Sequence, residues 1–282
     1  MDDSPLYVVF HPAASGNCKS AVPMVIATSL FEERKSAYSP LRRLAERLAA
    51  AGHPVLRFDY RGSGESGGHL ARRRWQSLVE DLTVARQTLR ELSGQPSCLL
   101  LGLRLGATLV LQQSHSVGVD GVIALAPIIV GATQVRLWKM RSKIRSELTE
   151  LRAGVTRFKS SRHENTAEHR LEISDGEPKS FAQSQNAPAD VIDFDGYETS
   201  PAFFNDVNAI DLLTELRPLS KPGWLIQISP RTDAMPESTQ LCSALGVSAK
   251  LKILRMEPFW NKLDDVDTQP LEDLVLQVCQ DM

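Results

Sequence analysis

Short runs of apolar residues recur along the chain, and segments with helical spacing lie between most of them. The runs span residues 6–10, 23–28, 54–58, 98–101, 119–126, 224–228 and 250–256. Their length and continuity are typical of strands buried on both faces of a sheet. Apolar residues recur every three or four positions over residues 75–92, 107–113, 236–245 and 271–278, which predicts helices there. The alternation predicts right-handed crossovers and a parallel sheet.

A further helix is predicted between the second and third strands. Polar residues 29–36 follow the second strand and are expected to form a loop. Ser39 then resembles an N-cap, with Pro40 in the first helical position. Leucines at helical spacing follow, and Gly52 ends the segment.

The alternation stops after the fifth strand. The predicted core has two parts, residues 1–130 and 205–282. Residues 131–204 are predicted to form a lid inserted between them. Residues 135–151 resemble a helix rich in Arg and Lys, whereas residues 160–190 are polar with little periodicity. Ten basic and four acidic side chains give residues 136–170 a net charge of +6. Such a run could bind an anionic polymer or lipid head group, although it is more often a solvated helix face.

The most distinctive stretch follows the fourth predicted strand. It reads Gly102-Leu103-Arg104-Leu105-Gly106, which is the outline of a nucleophile elbow, G-x-S-x-G. In that motif a sharp strand-to-helix turn exposes a serine hydroxyl at the end of a sheet. Arg104 stands where the serine would be. Its guanidinium stays protonated and only donates hydrogen bonds, so it cannot act as a nucleophile.

Three stretches carry a resemblance to a known family. They are Phe31-Glu32-Glu33-Arg34-Lys35-Ser36, Gly102-Leu103-Arg104-Leu105-Gly106-Ala107 and Gly196-Tyr197-Glu198-Thr199-Ser200-Pro201. The order of elements, the elbow outline and a glycine-rich turn at residues 59–66 resemble the α/β-hydrolase superfamily, over about residues 1–130 and 205–282. Within it, the three stretches make the chain most similar to the exosortase-associated, hydrolase-like proteins of bacterial exopolysaccharide systems. The resemblance implies an α/β-hydrolase fold, with a mostly parallel central sheet flanked by helices and an inserted lid.

Hydrolases of this superfamily place a nucleophile at the elbow, an acid after a later strand and a histidine after the last strand. Asp233 matches the position of the acid. Residues 256–261 follow the last predicted strand and contain no histidine, and the chain has none after His169. Two of the three triad positions are therefore unmatched, which predicts the loss of Ser-His-Asp hydrolysis.

The elbow is also a predicted anion site, because the Arg104 guanidinium and the Leu105 N–H at a helix N-terminus both favour negative charge. The ligand-binding residues predicted around it are Arg104, Leu105, Phe31, Glu32, Glu33, Tyr197 and Trp260. The alternative is an internal ion pair of Arg104 with one of three carboxylates, those of Asp233, Glu32 and Glu33. Four aromatic residues could form a sugar-stacking wall or simply pack the lid on the core, namely Trp138, Tyr197, Phe259 and Trp260.

Composition and charge limit the classes of partner and cofactor that are expected. A net charge of −2 and a pI near 6.3 give no global attraction to nucleic acid. The four cysteines lie far apart without metal-binding spacing, which predicts reduced thiols in the cytoplasm. The N-terminus is acidic and unlike a signal peptide, and the apolar run at residues 98–111 is shorter than the ~20 residues that span a bilayer. No cofactor, metal, nucleic-acid partner or integral membrane segment is expected.

These features predict a catalytically degenerate member of the fold. It would bind a small anionic or glycan-related ligand, or a protein partner in polysaccharide assembly. One alternative is an active, esterase-like hydrolase or acyl transferase with a relocated nucleophile, in which Ser29 or Ser36 is assisted by His163 or His169. Another is a pure protein-interaction module.

Overall fold

The computed structural model describes residues 4–14, 22–160, 191–262 and 266–282. Its strands are β1 (Val8–His11), β2 (Met24–Ala27), β3 (Val55–Phe58), β4 (Cys98–Leu103), β5 (Val119–Leu125), β6 (Ile192–Phe194), β7 (Tyr197–Thr199), β8 (Gly223–Ser229) and β9 (Ala249–Arg255). The central sheet has the order β1-β3-β2-β4-β5-β8-β9. β1 is antiparallel to β3, and the other neighbours in this sheet pair in parallel.

The helices lie on both faces of the sheet. They are α1 (Phe31–Ala50), α2 (Trp75–Ser93), α3 (Leu105–Gln112), α4 (Gly131–Ser160), α5 (Pro201–Ala209), α6 (Leu212–Glu215), α7 (Pro236–Ala244) and α8 (Gln269–Gln280). Side chains of α1 and α8 share one hydrophobic cluster with the sheet, and side chains of α2 and α7 share the other. The crossovers predicted from the alternating pattern produce this layering.

Strand β2 shows why the strands are continuous apolar runs. Met24 and Ile26 belong to the cluster under α1 and α8, whereas Val25 and Ala27 belong to the cluster under α2. Successive side chains point to opposite faces, and helices cover both faces. All four residues are therefore buried, and the strand has no polar alternation.

Helix α1 corrects the prediction that residues 29–36 form a loop. It begins at Phe31, so Pro40 lies inside the helix rather than in its first turn. Phe31 and Glu33 are buried, and Glu32 and Glu33 stand in the first turn, where carboxylates interact favourably with the helix macrodipole. These contacts stabilise the extra turns even though Pro40 has no N–H to donate within the helix.

The chain between β5 and β8 contains regular structure that its sequence did not predict. The predicted helix at residues 135–151 lies within the longer helix α4, and β6 and β7 form a small antiparallel hairpin. The prediction for the polar stretch concerns residues 160–190, of which residues 161–190 lie outside the described residues. The interpretation of residues 131–204 as a lid stays a prediction.

An aromatic cluster holds this part of the chain against the start of α1. It consists of Phe31, Trp138, Phe194, Tyr197, Phe203 and Phe204. The Phe31 ring centroid lies 5.3 Å from that of Trp138 on α4, 4.9 Å from that of Phe194 on β6 and 5.5 Å from that of Tyr197 on β7. These three contacts are edge-to-face, a favoured arrangement for aromatic rings. Phe31 thus connects α1 to α4 and to the hairpin.

The edge of the sheet contains a buried cation with an unusual partner. Arg57 on β3 donates from Nε to Nε2 of His11 on β1 at 3.2 Å, and its guanidinium carbon lies 5.3 Å from the Tyr38 ring centroid. No carboxylate pairs with Arg57 within the described residues. His11 must be neutral at Nε2 to accept this hydrogen bond. Burial and the neighbouring Arg57 charge lower the pKa of His11 below its ordinary value, and the weaker effect of Glu46 opposes them.

The free energy of unfolding is therefore expected to fall as the pH drops. Because the pKa of His11 is lower in the folded than in the unfolded chain, the unfolded state takes up the proton first, and stability is lost below about pH 6.5. The substitution His11→Gln keeps an acceptor for Arg57 and should flatten this part of the pH profile, at a cost of about 1 kcal/mol near neutral pH. Denaturant titrations of both proteins across this pH range measure the effect. If the free energy of unfolding changed with pH equally in the parent protein and in His11→Gln, His11 would not cause the loss of stability.

Candidate functional site

A sharp turn joins β4 to α3 and places Arg104 at its apex. The Arg104 backbone has φ 54° and ψ −114°, a positive-φ conformation that is sterically unfavourable for L-residues. Two hydrogen bonds hold it: the Arg104 N–H donates to the Leu125 carbonyl at 3.0 Å, and the Arg104 carbonyl accepts from the Thr108 N–H at 3.0 Å. The turn therefore fixes Arg104 at the carboxyl ends of β4 and β5.

Two glycines permit the close packing of this turn. A Cβ atom on Gly102 would lie 2.3 Å from the Gly106 carbonyl oxygen, and one on Gly106 would lie 2.2 Å from the Ala27 carbonyl oxygen. Both distances are far shorter than van der Waals contact. The two glycines of the elbow motif are thus required by the close approach of α3 to β4 and β2.

The guanidinium of Arg104 is held by groups within the protein. Nη1 donates to the Ala126 carbonyl at 3.0 Å, and Nη2 donates to Oε1 of Gln134 at 2.7 Å. Gln134 is a buried residue of the first turn of α4. Arg104 therefore links the elbow to α4, the helix that follows β5.

Glu33 provides the negative charge beside Arg104. Its Oε2 lies 3.5 Å from Arg104 Nε and accepts a hydrogen bond from the Ser29 hydroxyl at 2.7 Å. The two charged side chains are only 16% and 4% exposed. Arg104 Nε is buried and makes no hydrogen bond within the described part of the chain, so this contact is an attraction of charges without a hydrogen bond.

Trp260 also contacts the Arg104 guanidinium. It belongs to a short 3-10 turn, Phe259–Asn261, that follows β9. The guanidinium carbon lies 5.2 Å from the Trp260 ring centroid, within the range of a cation–π interaction. This is the loop after the last strand, where the chain contains no histidine. The elbow and the final loop therefore meet through Arg104 and Trp260.

A cleft of about 370 Å³ opens beside these residues. Its apolar walls are Phe31, Trp138, Ile144, Leu148, Phe194 and Trp260. Its polar lining is Glu32, Glu33, Ser36, Arg141, Arg145, Asp195 and Asn261. Arg104 is not part of this lining, although it contacts Glu33 and Trp260, which are. Aromatic walls with a few polar groups are typical of a small-molecule site.

The carboxylates of the cleft have cationic or hydroxyl partners. Asp195 lies 3.9 Å from Arg145, and Glu32 lies 3.1 Å from Lys35. The Tyr197 hydroxyl donates to Glu32 at 3.2 Å. Burial raises the pKa of Tyr197 above its ordinary value, which keeps this hydroxyl protonated. The negative charges lining the cleft are thus largely balanced within the protein.

Arg141 differs from the other charged residues of the cleft. It lies on α4 and donates from Nη1 to Oδ1 of Asn261 at 3.0 Å. Within the described residues no carboxylate pairs with it. A second donor group of this exposed guanidinium can therefore bind an anion that enters the cleft.

The structure brings most of the predicted ligand residues together. Phe31, Glu32, Glu33 and Trp260 line the cleft, while Tyr197 contacts two of them. Leu105 is buried in the first turn of α3 and is not part of the lining.

Asp233, the predicted acid, lies elsewhere. It is exposed after β8, and its backbone carbonyl accepts a hydrogen bond from Gln227 Nε2 at 3.0 Å. No ion pair joins Asp233 to Arg104 in the described part of the chain. Glu33, rather than Asp233 or Glu32, is the carboxylate beside Arg104.

The residues considered for a relocated nucleophile are also separated. Ser29 is fully buried and hydrogen-bonded to Glu33, whereas Ser36 lines the cleft. His163 and His169 lie outside the described residues.

The sequence does not point to three polar residues of the site. Gln134, Arg141 and Asn261 contact the site through α4 and the turn after β9. Arg141 lies three positions after Trp138, so the helical period alone could have placed both on one face. Nothing in the sequence around Gln134 and Asn261 signals their contacts with arginines.

The fold and the elbow define the class of protein. A mostly parallel sheet, helices on both faces and a sharp turn between β4 and α3 are the features of an α/β hydrolase. Residues 31–173, about half of the chain, match the family of the serine aminopeptidases, S33. The chain belongs to this family.

Solved structures show the same fold. Est1E from Butyrivibrio proteoclasticus, with ferulic acid bound, matches with a TM-score of 0.62 and 13% identity, over 99% of this chain and 94% of that one. The enol-lactonase from Burkholderia xenovorans LB400 matches with a TM-score of 0.57 and 16% identity, over 99% and 96% of the two chains. The proline iminopeptidase of Mycobacterium smegmatis gives the same four values. These similarities confirm the predicted α/β-hydrolase fold.

Three further findings concern sequence relatives, membrane spans and metal sites. No curated protein sequence matches this chain closely. Among the described residues, no helix is both long and apolar enough to cross a membrane. In the same residues, no group of three or more His, Cys, Asp or Glu side chains is arranged to hold a metal ion.

Proposed function

We propose that this chain is a non-hydrolytic member of its family that binds an anionic, glycan-related ligand in the cleft. The observation that carries the proposal is the contact between Arg104 and Trp260. It joins the elbow to the loop after the last strand, the two places where an active hydrolase has its nucleophile and its histidine.

The chemistry of these residues argues against acyl transfer. A guanidinium has no lone pair with which to attack a carbonyl, and an indole N–H cannot accept the proton of a nucleophile. Removal of triad members leaves only about 10³- to 10⁴-fold catalysis over water. Arg104 is also held by Ala126, Gln134 and Glu33, so its role in this proposal is to fix Glu33 and Trp260 in the cleft wall.

An acidic sugar fits the lining of the cleft. The parts of Trp138 and Trp260 that line the cleft can pack against a sugar ring, and Glu32 and Asn261 can bind its hydroxyl groups. Arg141 would bind the carboxylate of the sugar. A ligand of this chemistry agrees with the sequence resemblance to exosortase-associated proteins of exopolysaccharide systems. That specificity, a partner in polysaccharide assembly and a cytoplasmic location rest on the sequence alone.

The test compares ligands that differ only in charge. Uronic-acid oligosaccharides should bind to the purified protein in calorimetry, and their neutral counterparts should bind at least ten-fold more weakly, because a charge-assisted hydrogen bond contributes about 1.5–3 kcal/mol. Arg141→Gln should weaken uronate binding by a similar factor. Arg42→Gln removes the same charge from an exposed pair on α1 and is the matched control.

Other outcomes would overturn the proposal. Equal binding of neutral and acidic sugars, or unchanged uronate binding by Arg141→Gln, would show that Arg141 does not bind the carboxylate of the sugar. Ferulic acid, the aromatic acid bound to Est1E, belongs in the same panel, and its binding in place of the sugars would redefine the ligand class. A fluorophosphonate probe that labels Ser36, with labelling lost in Ser36→Ala, would instead establish the relocated nucleophile.

A further inference from the structure

Helix α4 exposes an apolar face to solvent. The face consists of four large side chains, Leu137, Met140, Ile144 and Leu148, which are 44%, 55%, 49% and 52% exposed. Their spacing of three and four residues places them in one stripe along the helix. Gln134, Val135 and Trp138 of the same helix face the core and are buried. A contiguous apolar stripe on a surface helix indicates a binding surface.

Cations lie on both sides of this stripe. At about 100° per residue, Arg136 and Lys143 fall on one side of the apolar face and Arg141 and Arg145 on the other, whereas Lys139 lies further round the helix. All five are exposed. Residues 136–148 contain five basic side chains and one acidic side chain, Glu147, which lies 4.0 Å from Lys143. This concentration of positive charge contrasts with the chain as a whole, whose net charge is −2.

We propose that the apolar face of α4 binds the surface of a membrane that contains anionic lipids. An amphipathic helix of this kind lies in the plane of the interface, with its apolar side chains among the acyl chains and its Lys and Arg side chains at the phosphate groups. The length of the Lys and Arg side chains suits this arrangement, because they reach outward from both edges of the buried stripe. The proposal goes beyond the proposed function and does not depend on it.

Charge complementarity favours a membrane over a second copy of this chain. A symmetric dimer through this face would bring the cations that flank it in one copy against the same cations of its partner, and like charges repel. An anionic bilayer instead attracts every one of these cations.

The cleft opens next to the same face. Ile144 and Leu148 belong both to the apolar face of α4 and to the lining of the cleft, and Arg141 and Arg145 also contribute to that lining. A helix lying on the bilayer would therefore place the mouth of the cleft at the level of the lipid head groups. Ligands carried by a lipid anchor could enter it from there.

Vesicle flotation with the purified full chain tests the proposal. The chain should float with phosphatidylcholine vesicles that contain phosphatidylglycerol, bind pure phosphatidylcholine far more weakly, and dissociate as salt is raised. Arg136→Gln with Lys143→Gln should weaken binding about 25-fold, because each cation near an anionic surface contributes about five-fold. Leu137→Ser with Met140→Ser should weaken it at least ten-fold. Neither pair lines the cleft, so ligand binding should be unchanged.

Val117→Ser with Val247→Ser is the matched control. Both valines are almost fully exposed and lie outside α4, so their loss should leave vesicle binding intact. Because every substituted side chain is exposed, each variant should unfold at the temperature of the parent protein. Absence of vesicle binding at low salt, or equal binding by all variants, would overturn the proposal. A concentration-dependent dimer that only Leu137→Ser with Met140→Ser disrupts, without vesicle binding, would assign the face to a second copy.

Discussion

Glu33→Ala should lower the free energy of unfolding by about 3 kcal/mol, because it leaves the Arg104 guanidinium buried without its carboxylate. The Ser29 hydroxyl, fully buried, loses its acceptor in the same variant. Denaturant titration measures the change directly. For a chain of this length the melting temperature should fall by roughly 5–10 °C.

The neighbouring residue gives a control for this prediction. Glu32 pairs with Lys35 at the surface, so Glu32→Ala should cost less than about 1 kcal/mol. The double variant Glu33→Leu with Arg104→Met removes both charges and should recover part of the lost stability, because no unpaired charge remains. If Glu33→Ala and Glu32→Ala were equally stable, the contact with Arg104 would contribute nothing measurable.

Arg104 and Glu33 show which parts of the site can be predicted from the sequence and which cannot. The elbow was predictable because Gly102 and Gly106 obey a steric requirement between neighbouring elements. The sequence alone offers three carboxylates as partners of Arg104, since the choice depends on where α1 begins. Once α1 starts at Phe31, Glu33 is carried into the core next to Arg104, whereas Asp233 stays on an exposed turn.

The strands were predictable for a different reason. A strand buried on both faces is a continuous apolar run in the sequence, and this run can be recognised without knowing which strand pairs with it. The start of α1 was not predictable in this way, because Pro40 is a strong local signal for a helix N-terminus. Contacts with residues more than a hundred positions away outweigh that signal, and a single sequence contains no record of them.

Phe31→Ala should be still more destabilising, at about 4 kcal/mol, because Phe31 packs against each of the other five rings of the aromatic cluster. Its backbone has φ 57°, a left-handed conformation that costs roughly 1–2 kcal/mol in an L-residue. The ring contacts must exceed this cost for the helix to begin at Phe31. Denaturant titration of the variant measures the loss, which should lower the melting temperature by about 10 °C.

Two further substitutions at position 31 separate the effect of ring packing from that of backbone strain. Phe31→Leu fills most of the space and should lose less than half as much stability as Phe31→Ala. Phe31→Gly relieves the positive φ but also removes the ring. Its loss of stability should therefore be smaller than that of Phe31→Ala by at most about 1 kcal/mol. Because Phe31 also forms part of the cleft wall, ligand binding should weaken in all three variants. A Phe31→Ala protein as stable as its parent would show that the cluster does not hold α4 and the β6–β7 hairpin against α1.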